Sequence, residues 1–311
     1  MVRSLSDPHS PGNDRPRFRS KLLKPIAHSR GAIVTASREE SYGGSNIAGV
    51  SSGNRSRRML AILEIVSERG SVDLAELGTR LSASPATLRR DLAHLAEQQL
   101  LIRTHGGASS SERGAELPVA LRDTQHQAAK RAIARAVPAI LPLQDRHVVA
   151  LSGGTTTAHV ARQLAYHSNL TVVTNSLTVA GMLADHHEMR VMMTGGFLRH
   201  PSLELVGGLA EAGFNAVNIG TAILGAAGVC ADAGVTTHDE TEARTNHAMA
   251  VSAQRTVVVA DGSKIGNAAL ARMVEITDIQ ILITDSSADP TELEKIGATG
   301  VEVVVADDQR R

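Results

Sequence analysis

Between Leu151 and Thr157 the chain reads Leu-Ser-Gly-Gly-Thr-Thr-Thr, where an apolar run gives way to a helical pattern. At such a junction several backbone N–H groups lack intrahelical partners, and the helix dipole favours negative charge beside them. Flexible glycines and hydroxyls then suit a small anion, although a lone Gly-Gly pair is also what a tight strand-to-helix turn requires. The segment lacks the lysine of a P-loop and the spacing of a dinucleotide fingerprint, so neither ATP nor NAD is indicated and no cofactor is expected. Two more apolar runs end alike, in Val172-Val-Thr-Asn-Ser176 and Met192-Met-Thr-Gly-Gly196, and Asp261-Gly-Ser-Lys264 adds an ammonium after a fourth. In a parallel sheet these loops share one edge, where a phosphorylated sugar would satisfy hydroxyls, amides and cation together.

A second chemistry lies near the N-terminus. At 100° per residue, Leu88, Leu92 and Leu95 define one helical stripe. Arg90 falls almost opposite, beside Ala86, Ala93 and His94, with Thr87 and Arg89 on the flanks. A small, basic face of this kind fits the major groove of DNA, while Ser84 and Thr87 at the helix start suit a phosphate oxygen; a solvated amphipathic helix would look the same in isolation.

The elements that must position these residues follow from periodicity and breakers. Met59, Leu60, Ile62, Leu63, Ile65 and Val66 predict a helix from Arg57 to the stop at Gly70. Asp73 and Glu76 have the spacing of an N-cap and its reciprocal N3 carboxylate ahead of Leu74, Leu77 and Leu81. Ser84 and Pro85 predict the cap and first position of a third helix reaching about Gln98. Leu100-Leu101-Ile102 then leads through Arg103-Thr104-His105 into Gly106-Gly107, an extended segment entering a turn, as a β-wing would. The expectation is a winged helix-turn-helix domain over 55–108, a linker or joining helix over 109–128, and an α/β domain over 129–311. In that last part, strand-like runs at 147–151, 170–174, 190–194, 217–224, 256–260, 278–284 and 301–305 alternate with helical patterns at 158–165, 177–184, 239–253 and 289–296. Such alternation argues a mostly parallel sheet with helices on its faces.

Composition narrows the class. Of 311 residues 42% are apolar and only 2% aromatic, with no Trp, so stacking platforms for single strands are poorly supplied. One cysteine, Cys230, makes neither an internal disulfide nor a cysteine-based zinc site; it is expected as a small buried apolar residue in a reducing, cytoplasmic setting. No run is apolar enough to span a membrane, and no secretory signal pattern is present. His238-Asp239-Glu240 and His186-His187 are contiguous and so diverge on a helix; no metal is assigned. The net charge of zero conceals an asymmetry: residues 1–54 carry eight Lys/Arg against four Asp/Glu, 55–107 eight against six, and 108–311 sixteen against twenty-two. A basic front and an acidic body suit a polyanion partner at the N-terminal side. Residues 1–54, rich in Ser, Arg, Pro and Gly, are expected to form a disordered basic tail or to reflect an early start codon.

The stretch from Leu81 to Leu92, Leu-Ser-Ala-Ser-Pro-Ala-Thr-Leu-Arg-Arg-Asp-Leu, with Leu101-Ile-Arg-Thr-His-Gly-Gly-Ala108, resembles the DNA-binding domain of DeoR-type bacterial transcriptional regulators. Ser82-Ala83 replaces the usual Gly-Val of the turn, and Gln99 stands where a helix-ending glycine is common. The resemblance implies DNA contacts from Ser84, Thr87, Arg89 and Arg90, with Arg103 and His105 on or near the wing. Residues 125–285 are similar to the DeoR-type sensor domain through Ser152-Gly-Gly-Thr-Thr156, Thr174-Asn-Ser176, Gly195-Gly196, Gly207, Glu242-Ala243 with Asn246, and Asp261-Gly-Ser-Lys264. That resemblance implies the fold of ribose-5-phosphate isomerase and CoA transferases and a sugar-phosphate site. The residues it carries over are Ser152, Gly153, Gly154, Thr155, Thr156, Asn175, Gly195, Gly196, Glu242 and Lys264. The expected function is a non-enzymatic, homo-oligomeric repressor of carbohydrate genes that binds double-stranded operator DNA and is controlled by a phosphorylated sugar. The alternative is a sugar-phosphate isomerase or deaminase with an accessory DNA-binding segment, Glu242 and Lys264 acting as base and electrophile.

Overall fold

Three helices open the described part of the chain, α1 (Gly53–Arg69), α2 (Leu74–Leu81) and α3 (Pro85–Glu97), interleaved with β1 (Ser71–Asp73) and followed by β2 (Leu101–Arg103) and β3 (Gly107–Ser110). The computed structural model describes residues 53–111, 116–143 and 146–307. Of the expected tail, residues 1–52 lie outside that range, while Gly53 and Asn54 already belong to α1, which starts four residues ahead of Arg57. The apolar stripes predicted from periodicity meet in one core: Met59, Ile62 and Val66 of α1, Leu77 of α2, and Leu88, Leu92 and Leu95 of α3 are buried together. Antiparallel β2 and β3 form the wing, and β1 completes a three-stranded sheet of order β1-β3-β2. Gly107 is required there, because a Cβ would lie 1.9 Å from the Val72 carbonyl oxygen.

The segment expected as a linker is structured at both ends and within: it contains the end of β3, a short helix α4 (Val119–Arg122) and the start of α5 (Gln127–Ala136). Beyond it lie β4 (His147–Leu151), α6 (Thr155–Leu164), β5 (Leu170–Thr174), α7 (Leu177–Leu183), β6 (Arg190–Met193), β7 (Phe197–Arg199), β8 (Glu204–Val206) and α8 (Gly208–Asn215). Then follow β9 (Thr221–Gly225), β10 (Gly228–Cys230), β11 (Gly234–Thr237), α9 (Glu240–Val251), β12 (Thr256–Val259), β13 (Ala271–Val274), β14 (Ile281–Asp285), α10 (Pro290–Ala298) and β15 (Glu302–Ala306). Seven of these strands form one parallel sheet in the order β15-β14-β12-β9-β4-β5-β6. All seven predicted runs fall on it. The period of two divides the inner strands between two cores: Val149 and Leu151 face α5, α6 and α7, whereas Ala150 faces the side covered by α8 and α9. Val257 and Val259 are opposed to Val258 in the same way, as are Ile281 and Ile283 to Leu282.

The β7–β8 hairpin and the antiparallel sheet β10-β11-β13 were not expected. Their strands are three or four residues long, too short for alternation to register, and β10 and β11 each begin with a glycine. Cys230, at the end of β10, is only partly covered rather than buried. Among the described residues no helix is long and apolar enough to cross a membrane, and no group of three or more His, Cys, Asp or Glu gathers around a metal-sized space.

Candidate functional sites

On α3, the Ser84 Oγ accepts the Thr87 N–H at 3.2 Å and contacts its hydroxyl at 2.9 Å, so the two residues form the predicted cap. Arg89 and Arg90 are exposed on the outward face, and Arg103 and His105 are exposed on the wing. Asp73 caps α2 by accepting the Glu76 N–H at 2.7 Å, but Glu76 does not reciprocate. Its carboxylate turns instead to Arg69 and Arg80, at 2.5 and 3.1 Å. Periodicity also missed Asp91, which is buried and accepts from Arg55 at 3.1 Å and Arg58 at 2.6 Å, fastening α3 to α1. Its place beside the leucine stripe, one residue after two exposed arginines, was the available signal.

In the α/β part, parallel strands bring the loops after β4, β9 and β12 to one edge. Gly154, with φ of 108°, caps α6 without any side-chain hydrogen bond, so the first-turn N–H groups are not covered by a capping side chain. Beside that terminus, one cavity is lined by Gly154, Thr155, Thr156 and Lys264 together with Arg122 and Lys130. A second is lined by Gly153, Gly154 and Glu242 with Arg122, Glu204 and Asn246. The two share Gly154 and Arg122 and make one cleft with a cationic side and a side lined by carboxylates and amides.

Other expected residues stand behind the lining. The Ser152 hydroxyl donates to the Gly153 carbonyl at 3.1 Å and accepts the Gly225 N–H at 3.0 Å, bracing the turn. Asn175 donates to Glu204 at 3.3 Å and to the Leu205 carbonyl at 3.2 Å. Gly195 and Gly196 line neither cavity; a Cβ on Gly196 would meet Val206 at 2.7 Å, so this pair shapes the turn into the β7–β8 hairpin.

Glu204 is the residue that sequence reasoning missed most clearly, though a lone acid within Leu203-Glu-Leu-Val206 was a signal. It is 2% exposed, and its Oε1 accepts from the Gly153 N–H at 2.7 Å and from the amides of Asn175 and Asn246 at 3.3 and 3.5 Å. Burial, reinforced by the neighbouring Glu242 charge, pushes its carboxyl up to about 8 against the opposing Gly153 hydrogen bond. Lys130 is also buried, donating to the carbonyls of Arg122 and Gln125 at 2.7 Å each. Desolvation lowers its ammonium to about 8, although Asp261 and Asp123 oppose the shift. Glu242 accepts a short hydrogen bond from the Thr237 hydroxyl and pairs with Arg199 at 3.1 Å. Burial disfavours the Arg199 charge, but the hydrogen bond to Glu116 and the charges of Glu242, Glu116 and Asp239 outweigh it and raise its pKa.

Comparison with known proteins agrees with both halves. Residues 58–113 match the DeoR-like helix-turn-helix domain and residues 125–286 the DeoR C-terminal sensor domain. The HTH-type transcriptional regulator GlpR of Haloferax volcanii is 35% identical over 248 residues, spanning 79% of this chain and 96% of that protein. The glycerol-3-phosphate regulon repressor of Escherichia coli K12 is 33% identical over 232 residues, spanning 75% and 91%. Among solved structures, ribose 5-phosphate isomerase A from Methanocaldococcus jannaschii aligns over 43% of this chain and 52% of its own, at 18% identity and a TM-score of 0.32. With a DeoR-like helix-turn-helix domain followed by the DeoR sensor domain, the chain belongs to the DeoR family of transcriptional regulators.

Proposed function

We propose that this regulator is a repressor of carbohydrate-metabolism genes, that the winged domain over 55–108 binds its operator, and that a phosphorylated sugar in the cleft of the 129–311 domain, joined through 109–128, lowers that affinity. The observation that carries the proposal is the cleft itself: an uncapped α6 N-terminus with Lys264, Lys130 and Arg122 around it, in one chain with a helix presenting Arg89 and Arg90 to solvent. The phosphate is assigned to the cationic side, against Thr155, Thr156 and Lys264, and the sugar hydroxyls to the carboxylate- and amide-lined side, where the Asn246 Oδ1 is buried without a partner. Ser84, Thr87, Arg89, Arg90, Arg103 and His105 are assigned to DNA. The effector acts by binding the DNA-free conformation more tightly than the DNA-bound one. A single winged domain reads few base pairs, so a homo-oligomer is inferred, as is a cytoplasmic site of action.

Fluorescence anisotropy on DNA upstream of the protein's own operon, with and without phosphorylated sugars, tests this reading. Competitor-resistant binding released by one sugar phosphate is the expected result; binding no tighter than to random DNA under every condition contradicts it. A second reading, a sugar-phosphate isomerase or deaminase, is favoured by the buried Glu204–Glu242 pair, since a carboxyl titrating near neutrality suits proton transfer. Saturable turnover of ribose 5-phosphate or glucosamine 6-phosphate would establish it.

A further inference from the structure

The residues from Glu116 to Arg122 belong to both halves of the molecule. Leu121 is buried in the core of the winged domain, and Leu117 packs against that core. The polar groups of the same segment face the sensor: the Val119 N–H donates to the Pro201 carbonyl at 2.8 Å, and the Glu116 carboxylate is held by Arg199 through one oxygen and by Arg122, at 3.0 Å, through the other. Arg199 continues to Glu242, which lines the second cavity, at 3.1 Å. Arg122 lines both cavities, and its Nε and Nη2 are buried without an aligned hydrogen-bond acceptor, Nη2 meeting Glu116 only as an ion pair.

We propose that Arg122 binds the effector's phosphate and is the point where occupancy of the cleft reaches the DNA-binding domain, the phosphate and Glu116 competing for one guanidinium. The proposal rests on the phosphate reading of the cleft. A guanidinium fork satisfies a carboxylate or a phosphate in its plane, so taking up the ligand exchanges one partner for the other. Lys130 pins the carbonyls of Arg122 and Gln125, which leaves the stretch N-terminal to Arg122 to respond. Once Arg122 leaves Glu116, that stretch is held to the sensor by Arg199 and by the Val119–Pro201 bond alone among these contacts, while Leu117 and Leu121 remain in the winged core. Its displacement therefore moves apolar groups on which α1 rests.

The full chain, Glu116→Gln and Arg122→Lys are compared at constant ionic strength for operator affinity, with and without saturating ribose 5-phosphate, and for direct binding of ribose 5-phosphate by calorimetry. Circular dichroism and melting confirm that each variant is folded. In Glu116→Gln the sugar phosphate binds at least as tightly as in the unsubstituted chain, ligand-free operator affinity falls several-fold, and the ligand's effect on operator affinity drops from about 5–150-fold to below about twofold. In Arg122→Lys, which keeps the charge but loses the fork, ligand binding weakens about tenfold. Unaltered operator affinity and ligand effect in Glu116→Gln overturn the coupling; unaltered ligand binding in Arg122→Lys overturns the phosphate contact. If the unsubstituted chain binds no ribose 5-phosphate or inorganic phosphate, the phosphate reading of the cleft fails first, and the Arg122 assignment with it.

Discussion

Single substitutions test the proposed DNA-binding and effector-binding residues separately. Replacing Arg90 by alanine removes a guanidinium from the outward face of α3 without touching the leucine stripe, and is expected to weaken operator binding by about 1–3 kcal/mol while sparing sugar binding. Anisotropy titrations read this directly, and unchanged affinity removes Arg90 from the interface. Lys264→Ala has the opposite signature: operator binding persists while release by the effector is lost, and a normal response in that variant misplaces the cleft. The two groups brought near pH 8 make effector affinity depend on pH. Below about 8 Lys130 is charged and Glu204 neutral, both favourable to a phosphate; above it the ammonium loses its proton and the carboxyl becomes anionic. Affinity for a phosphate monoester is therefore greatest at about pH 7, where the phosphate is already dianionic, and falls between about pH 7 and 9; a flat calorimetric profile there excludes both groups from the site.

At the level of elements, caps and glycines decide where helices stop. Ser82 and Gln99 stand at positive φ, 48° and 59°, at the ends of α2 and α3. A non-glycine residue in that region costs about 1–2 kcal/mol, part of which is recovered because glycine loses more freedom on folding. Gln99→Gly is thus expected to stabilise the protein by about 0.5–1 kcal/mol, measured by denaturant unfolding; destabilisation would show that the Gln99 side chain supplies a contact worth more than the strain. Asp91 illustrates the converse, an element held by charge within an apolar stripe, its two arginines reaching it from α1.

For the whole molecule, exposed apolar residues bear on assembly. Val191, Met192 and Met193 lie on β6, one of the two edge strands of the parallel sheet, and Phe197 and Leu209, 81% and 69% exposed, stand on β7 and at the start of α8. Large exposed apolar groups on an open edge suit a self-complementary contact. Light scattering after size exclusion is expected to give more than the monomer mass, and Phe197→Glu to shift the protein toward monomer. A monomeric unsubstituted chain would leave operator recognition to a single winged domain.

Local signals were sufficient for much of this protein. The leucine stripe of α3, its Ser84-Pro85 start and the seven apolar runs of the sheet are each determined by neighbours within a few residues, where periodicity and capping act. The Gly153-Gly154 turn and its helix N-terminus were legible for the same reason. Contacts across many positions were not: Glu204 reaches Gly153 over 51 residues, Arg199 reaches Glu116 over 83, and Arg58 reaches Asp91 over 33. The charge of a buried group depends on what surrounds it rather than on its type, so only the tertiary structure turned Glu204, Lys130 and Arg122 from ordinary polar residues into the walls of one cleft.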